Sequence, residues 1–519
     1  MPKQKYQAKS LVLPEFMKPF FVVLAMYSVA MLSVWRGGVS FVDDMGRAIY
    51  GYAWSSDFNR WSQSWLSYAL NSNFTLADIS PLPQIAAMMF LASAGVIVTY
   101  LFCGKEIKYL PLTLSAFIGL SPFTIENWLY KFDAPGMAMS ILVSIAPFLF
   151  WHVLKGENGK KWWLWAVFTA IATACLMVML TSYQAGSGIY LVMVLALAFF
   201  DFLDKRGVLK IIKSCALFSV PYLLASLIFR FVLPQPSGWR DTEMLGLSNL
   251  LPGLMNNIRG YSNFLSYSLN TQWTFLLQAV FWCFVISLLL FSKRKGYAKI
   301  LDAAFGMLFV IISIPLSHGV LLLLVRPPVN GRSSMGIGLV IAIVGMIIAT
   351  RKPEIPIRKF PRELSYVTKY LLVVPAVILL YSFAVFPLAL GNALVDQQRW
   401  GIFRTETLLA DLSRLYPCRE ELSNTTVQVR GGISLSRVAA HVNRVYPITE
   451  RIITHQQRGL GGHGVWALQK LLRYYGWYPQ WSFLWANEVW DDEHWEIVLD
   501  SYFHTVRDSG DGRVSVEIK

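Results

Sequence analysis

The chain has 519 residues, of which 55% are hydrophobic and only 15% charged. Soluble domains carry about 25% charged residues and a single core stops growing near roughly 250–300 residues, so so long and so apolar a chain is no soluble domain and must bury its surface in lipid. The net charge of +15 does not point to nucleic acid, because residues 1–391 carry 32 Lys+Arg against 16 Asp+Glu while 392–519 carry 14 against 15.

The first apolar stretch, about 16–35, follows a basic start (Lys3, Lys5, Lys9, Lys18). No small-x-small cleavage site follows it, so it reads as a retained first helix. The loop 36–81 is aromatic and half polar, with Tyr50, Trp54, Phe58, Trp61 and Trp65 three to four residues apart. That spacing predicts helices lying in the membrane interface. Apolar runs then recur near 82–103, 109–125, 134–154, 162–181, 185–203, 211–233, 272–291, 301–325, 334–350 and 368–391. With the first, they predict an all-α polytopic membrane domain over 1–391 with about eleven spans of roughly 20 residues each.

Orientation follows from the links. Lys105/Lys108, Lys155/Lys160/Lys161, Lys205/Arg206/Lys210, Lys293/Arg294/Lys295 and Arg351/Lys352/Arg358 fall with the N-terminus on one side under strict alternation. By the positive-inside rule that side is cytoplasmic. The remaining links and the tail 392–519 then lie on the opposite side. The tail opens helical, turns β-like at 425–429 and carries six Trp between 466 and 495. It is long enough for a small α/β-type domain of its own. Cys103, Cys175, Cys215 and Cys283 sit in or beside apolar runs, leaving Cys418 alone in the tail, so neither a disulfide framework nor a cysteine zinc site is expected.

The chemistry-bearing residues gather on the non-cytoplasmic side. Asp43 and Asp44 follow the first span, with Arg47 one turn on. Adjacent carboxylates at a membrane surface repel and face a low dielectric, so they suit a general base with a partner that orients a polar substrate. The competing reading is a helix cap with Arg47 as its neighbour. Glu126, Lys131 and Asp133 crowd one turn and either neutralise one another or meet substrate. The Arg326-Pro327-Pro328-Val329-Asn330-Gly331-Arg332 turn sets two guanidiniums between spans, suited to a phosphate or to snorkelling. Trp477, Trp481 and Trp485 recur every four residues, as a domain core or as faces for sugar rings. His455, His463, Glu488 and His494 match no standard metal spacing, and the glycines of 459–464 lack a strand-to-helix context for a phosphate loop.

The first helix, the Asp43-Asp44-x-x-Arg47 motif with its aromatic stretch, Ser121-Pro122-Phe123-x-x-Glu126-Asn127 and Phe132-Asp133-Ala134-Pro135-Gly136-Met137 together resemble the serotype-converting O-antigen glucosyltransferases, the Gtr family of enteric bacteria and their phages. The likeness covers roughly 1–391. It implies a GT-C-like enzyme of the bacterial inner membrane that moves glucose from undecaprenyl-phosphate-glucose to lipid-linked O-antigen on the periplasmic face, probing no nucleic acid and needing no cofactor or metal. It further implies that Asp43 or Asp44 is the base of an inverting displacement and that Asp133 is a second active-site carboxylate or an acceptor ligand.

Chemistry agrees: a compartment without nucleotide sugars calls for a lipid-phosphate donor, and cations to hold its phosphate. Lys131, Arg326, Arg332 and Arg47 are the candidates for the donor phosphate; Trp477, Trp481 and Glu126 are those for the acceptor. The alternatives are a flippase for a polyprenyl-linked glycan and an O-antigen polymerase or ligase. A transporter places ionisable groups at the bilayer midplane, and here the mid-span regions are nearly free of charge.

Overall fold

Uncharged runs in hydrocarbon must satisfy their backbone hydrogen bonds internally, and helices do so. The computed structural model describes residues 13–54, 58–104, 107–158, 163–233, 243–294, 296–351, 362–417, 425–457 and 490–519. They are mostly helical, with one small sheet near the end of the chain. Contacts group them into two units: Met1–Leu32 with Tyr52–Pro387, and Ser33–Gly51 with Leu388–Lys519.

In chain order the helices begin α1 (Leu13–Ala30), α2 (Leu32–Gly37), α3 (Asp44–Tyr50), α4 (Trp61–Asn71) and α5 (Leu82–Cys103). Three short pieces follow, α6 (Tyr109–Ser115), α7 (Phe117–Leu120) and α8 (Pro122–Trp128). Then come α9 (Ala134–Asn158), α10 (Trp163–Leu180), α11 (Ser187–Leu203), α12 (Val208–Phe231), α13 (Leu250–Ser268), α14 (Thr271–Leu290), α15 (Ala298–Leu316), α16 (Gly336–Thr350) and α17 (Arg362–Leu415). Among the described residues eight helices (α5, α9, α10, α11 with its preceding turn, α12, α14, α15 and α17) are long and apolar enough to cross a bilayer. Shorter apolar helices occupy Phe16–Ala30, Tyr109–Leu120 and Gly336–Thr350. The eleven expected runs are thus eight full-length helices and three short ones. The run at 109–125 is interrupted because Ser121 precedes a proline and leaves the helical region at φ −57°, ψ 134°.

The links of the first unit collect at two ends. At one, Lys293 pairs with Asp204 at 2.8 Å, Arg294 reaches the Phe202 carbonyl at 3.0 Å, and Arg351 donates to the Phe291 carbonyl at 3.2 Å. These are the links after α11, α14 and α16. At the other, the Ser62 N–H donates to the Thr181 carbonyl at 3.1 Å, Gln63 to the Phe132 carbonyl at 3.2 Å, the Arg332 N–H to Glu126 at 3.0 Å, and the Val320 N–H to the Ser187 hydroxyl at 3.0 Å. Asn257 of α13 ties in through the Leu322 and Leu324 carbonyls at 2.9 and 2.8 Å. These links are the alternate ones. Gly188 is required there, since an added Cβ would stand 1.9 Å from the Ser317 carbonyl oxygen.

The second unit holds α2, α3, the α17 residues from Leu388 onward, α18 (Arg437–Val445), α19 (Ile448–Gln457) and a four-stranded sheet. Its strands are β1 (Thr426–Gly431), β2 (Glu496–Asp500), β3 (His504–Asp508) and β4 (Arg513–Ile518), in the order β1-β4-β3-β2, with β1 parallel to β4 and the rest antiparallel. Alternating Val427, Val429, Val514 and Val516 pack with Val506 against Leu408 and Leu412 of α17, which gives this unit its own core. Arg404 fastens helix to sheet by donating to the Phe503 and Lys519 carbonyls at 2.6 and 3.0 Å.

In a background without native cysteines, Asn73→Cys and Tyr297→Cys, both exposed and on links of opposite parity, are expected to react with an impermeant maleimide from opposite faces of the membrane. Labelling from one face only would break the alternation. Gly188→Ala is expected to cost about 1–3 kcal/mol, read as a lower melting temperature in detergent, because backbone and not a flexible side chain must move.

Candidate functional site

The paired carboxylates lie in the second unit. Val42 stands at φ +46°, a left-handed conformation that a β-branched residue rarely adopts and that costs on the order of 1–3 kcal/mol. The turn folds Asp44 back so that its Oδ2 accepts the Phe41 N–H at 2.9 Å; Asp44 opens α3, Arg47 lies in its last turn, and both are buried. Asp43, half-buried, occupies the N-cap position but its side chain makes no cap bond. One carboxylate is therefore engaged in shaping the turn, and the other is more exposed.

The first unit builds a polar cluster at the end where the alternate links meet. The seven residues of α8 are all buried and carry Glu126 and Asn127 on one turn. Glu126 accepts the Arg332 N–H on one oxygen at 3.0 Å, and the Arg332 Nε lies 3.9 Å from the other. Arg332 also donates to the Tyr130 hydroxyl and lies over that ring. Asp133, buried just before α9, accepts from Gln63 at 3.0 Å and has the Arg60 guanidinium 3.9 Å away. Arg60 in turn lies over the rings of Phe58 and Tyr183, 5.0 and 5.5 Å from their centroids. Tyr183 senses all four charges: burial pushes its phenol up, Arg332 and Arg60 oppose this, and Glu126 and Asp133 add to it. The two guanidiniums keep 25% and 29% of their side-chain surface exposed while their carboxylates keep 3%, so the cluster is anionic within and cationic at its rim.

Lys131 pairs with Asp78 at 2.8 Å, and although partial burial works against it, the hydrogen bonds and charge of Lys131 and the Ser80 contacts hold the Asp78 carboxyl below its ordinary value. Glu126, Lys131 and Asp133, which the sequence placed in one turn, thus each have a partner from elsewhere in the chain. Arg326 is exposed and makes no ion pair among the described residues, in contrast to Arg332 at the far end of the same turn. That turn is tied down by Tyr261 on the Pro328 carbonyl at 3.2 Å and by the Ser333 N–H on Asn330 at 3.0 Å. Trp477, Trp481 and Trp485 lie outside the described residues, as do His463, Glu488 and the glycines of 459–464. The described part of the aromatic tail starts at Trp490, whose ring is 5.4 Å from that of Trp495 with Arg513 over both.

Arg60, Gln63 and Tyr183 are members that residue patterns did not single out. Arg60 was nonetheless visible as a cation on the same side as the others. The inverted helix α4, with Gln63, Ser64 and Ser67 buried and Trp61 and Trp65 exposed, carries the signal of a polar face turned inward.

A family model described as glucosyl transferase GtrII matches residues 32–375, about two thirds of the chain. The chain belongs to the GtrII glucosyl transferase family. The matched GtrII region takes in Asp43, Asp44, Arg60, Glu126, Asp133 and Arg332 and ends before the sheet. The chain is also 26% identical over 238 residues to a Salmonella phage P22 protein described as an uncharacterized 55.3 kDa protein in the gtrB 5′ region. The alignment covers 44% of this chain and 46% of that one, so this GtrII chain spans about half the length of the relative it matches. No solved structure matches it.

Gly136 supplies a test of the cluster, because an added Cβ would stand 1.2 Å from Gln63 Oε1, the far end of a flexible side chain that must swing aside. Gly136→Ala is expected to lower the melting temperature and the activity about as far as Gln63→Ala does, because both remove the buried Gln63 hydrogen bonds to Asp133 and the Phe132 carbonyl. A hydrogen bond to a charged group is worth about 1.5–3 kcal/mol, so a tenfold or greater loss in rate is the expected reading.

Proposed function

We propose that this GtrII-family chain is an integral glucosyltransferase of the bacterial inner membrane, taking glucose from undecaprenyl-phosphate-glucose and adding it to an O-antigen glycan on the periplasmic face. The observation that carries this reading is the meeting of two arginine–carboxylate pairs at one end of the helices, inside the family-matched region. Basic links at the opposite end, including Lys205, Lys293, Arg294 and Arg351, support a cytoplasmic location for that end by charge bias and a periplasmic one for the pairs.

In the reaction, an acceptor hydroxyl oxygen attacks the anomeric carbon of the donor. The bond from that carbon to the phosphate oxygen breaks, polyprenyl phosphate leaves with the electron pair, and the hydroxyl proton passes to a carboxylate. Asp43 or Asp44 is the proposed base, and Asp43 is tested first because it is the more exposed of the two. Backbone strain at Val42, directly before it, is of the kind that functional turns retain. Arg332 and Arg60, half-exposed and fork-shaped, suit the donor phosphate, and Asp133 sets the position of Arg60. Lys131, tied to Asp78, and Arg326 and Arg47 are secondary candidates for that phosphate. Trp477 and Trp481 are kept as acceptor contacts.

Full-length protein in vesicles supplied with radiolabelled undecaprenyl-phosphate-glucose and lipid-linked O-antigen is expected to move label into glycan. Movement of the intact lipid across the bilayer without transfer would instead make it a flippase. Asp43→Asn is expected to lower the transfer rate about 10²–10⁴-fold with membrane level and melting temperature preserved. Activity within a few fold of wild type would remove Asp43 from the role of base.

A further inference from the structure

Four buried polar atoms beside the arginine–carboxylate cluster have no hydrogen-bond partner among the described residues: Ser121 Oγ, Glu126 Oε1, Asn127 Oδ1 and His318 Nε2. Buried polar groups are normally paired, and leaving one bare costs about 1–3 kcal/mol, so four on residues that border one segment call for something that pairs them. Other atoms of the same four residues all rest on the segment 332–338. Glu126 accepts the Arg332 N–H at 3.0 Å, His318 Nδ1 faces the Ser333 carbonyl at 3.4 Å, Asn127 Nδ2 contacts Met335 Sδ at 3.5 Å, and Ser121 packs on Gly338.

The chemistry of the set is one-sided. Burial brings the His318 imidazole down to about 4, so the ring is neutral, and with Nδ1 facing a carbonyl its proton is on Nδ1 and its lone pair on Nε2. The ring is fixed by stacking on Tyr261, with centroids 3.7 Å apart. The Asn127 amide has its NH2 toward sulfur and its carbonyl oxygen bare, and the bare Glu126 oxygen belongs to a carboxylate already matched in charge by Arg332. Ser121 stands at the N-cap of α8 without capping it. Three acceptors and one hydroxyl, with no net charge to offer, repel an anion and give a cation nothing to neutralise. They suit a neutral group rich in O–H donors.

We infer that Ser121, Glu126, Asn127 and His318 form the subsite for the hexose ring of the donor, whose hydroxyls donate to the three bare acceptors while the phosphate stays with the guanidiniums at the rim. The assignment rests on the lipid-phosphate-sugar reading above, and it moves Glu126 from the acceptor side to the donor side. It makes sugar identity depend on these residues and phosphate affinity depend on Arg60 and Arg332.

The test measures binding of full-length protein in detergent to undecaprenyl-phosphate-glucose, to its singly deoxygenated glucose analogues, and to undecaprenyl phosphate without sugar. Wild type is expected to bind the glucosylated lipid more tightly than the sugarless one and to lose about five- to tenfold for each deoxygenation that removes a donor to this set. Asn127→Leu and His318→Phe are each expected to weaken the glucosylated lipid by a similar factor and to leave sugarless lipid unchanged. Each is also expected to abolish the penalty for one deoxygenated analogue. Wild-type affinities that ignore deoxygenation overturn the subsite without any variant having to fold. So do folded variants that keep every penalty, or that lose both lipids equally. If wild type transfers label to glycan in those cases, the enzyme reading survives and the subsite alone falls; if wild type binds neither lipid, both fall.

Discussion

A carboxylate taken out of water at the end of a membrane helix must be matched in charge, and this constraint organises the first unit. Glu126 and Asp133 are almost fully buried, and removing the partner of such a group typically costs about 3–5 kcal/mol. Neither carboxylate is matched by a neighbour in sequence. Asp133 draws in Arg60 and Gln63 from the link before α5, and Glu126 draws in the Arg332 backbone and guanidinium from the link before α16. Charge matching therefore fixes which links meet, and that in turn fixes where Tyr183, Tyr130 and His318 stand. The same rule works at the opposite end, where buried Asp302 is held by Arg294 at 2.8 Å and by the Ser292 hydroxyl at 2.6 Å.

The geometry of the two pairs matters as much as their existence. In both, guanidinium nitrogen and carboxylate oxygen are 3.9 Å apart, beyond hydrogen-bond reach. A pair at that separation keeps most of its Coulomb attraction while leaving the fork of the arginine unspent on the carboxylate. Bidentate contact at about 2.8 Å, as structural ion pairs favour, would have closed the fork. Arg60 is instead stacked over two aromatic rings, which hold its plane without using its donors.

Much of this was legible in the sequence, and the reason differs from part to part. The spans are legible because lipid imposes a length and an unbroken apolar composition, and the paired ends are legible because basic residues mark one of them. Glu126, Asp133 and Arg332 are legible as rare charges in an apolar context. Their partners are not, because Arg60–Asp133 and Glu126–Arg332 are contacts across distant stretches of chain that only helix packing decides. The break between α7 and α8 is signalled by Pro122, whereas that between α6 and α7 at Ala116 has no such marker, and hydropathy smooths over both. The β-like stretch near 425–429 was visible from its alternating valines, but the parallel pairing of β1 with β4 depends on 80-odd residues between them and leaves no local trace.

The turn at 41–47 shows how one sequence motif divides into two physical roles. Two ionised carboxylates on adjacent residues cannot both be buried without a large electrostatic penalty, and they cannot both be exposed if the turn is to close. The chain resolves this through backbone geometry. Val42 accepts a left-handed conformation, and the reversal that follows lets Asp44 fold beneath the Phe41 N–H while Asp43 stays nearer solvent. A glycine at 42 would adopt that conformation without strain while raising the conformational entropy of the unfolded chain. The strained valine thus accompanies an unequal pair, one aspartate buried on a backbone N–H and its neighbour half-buried.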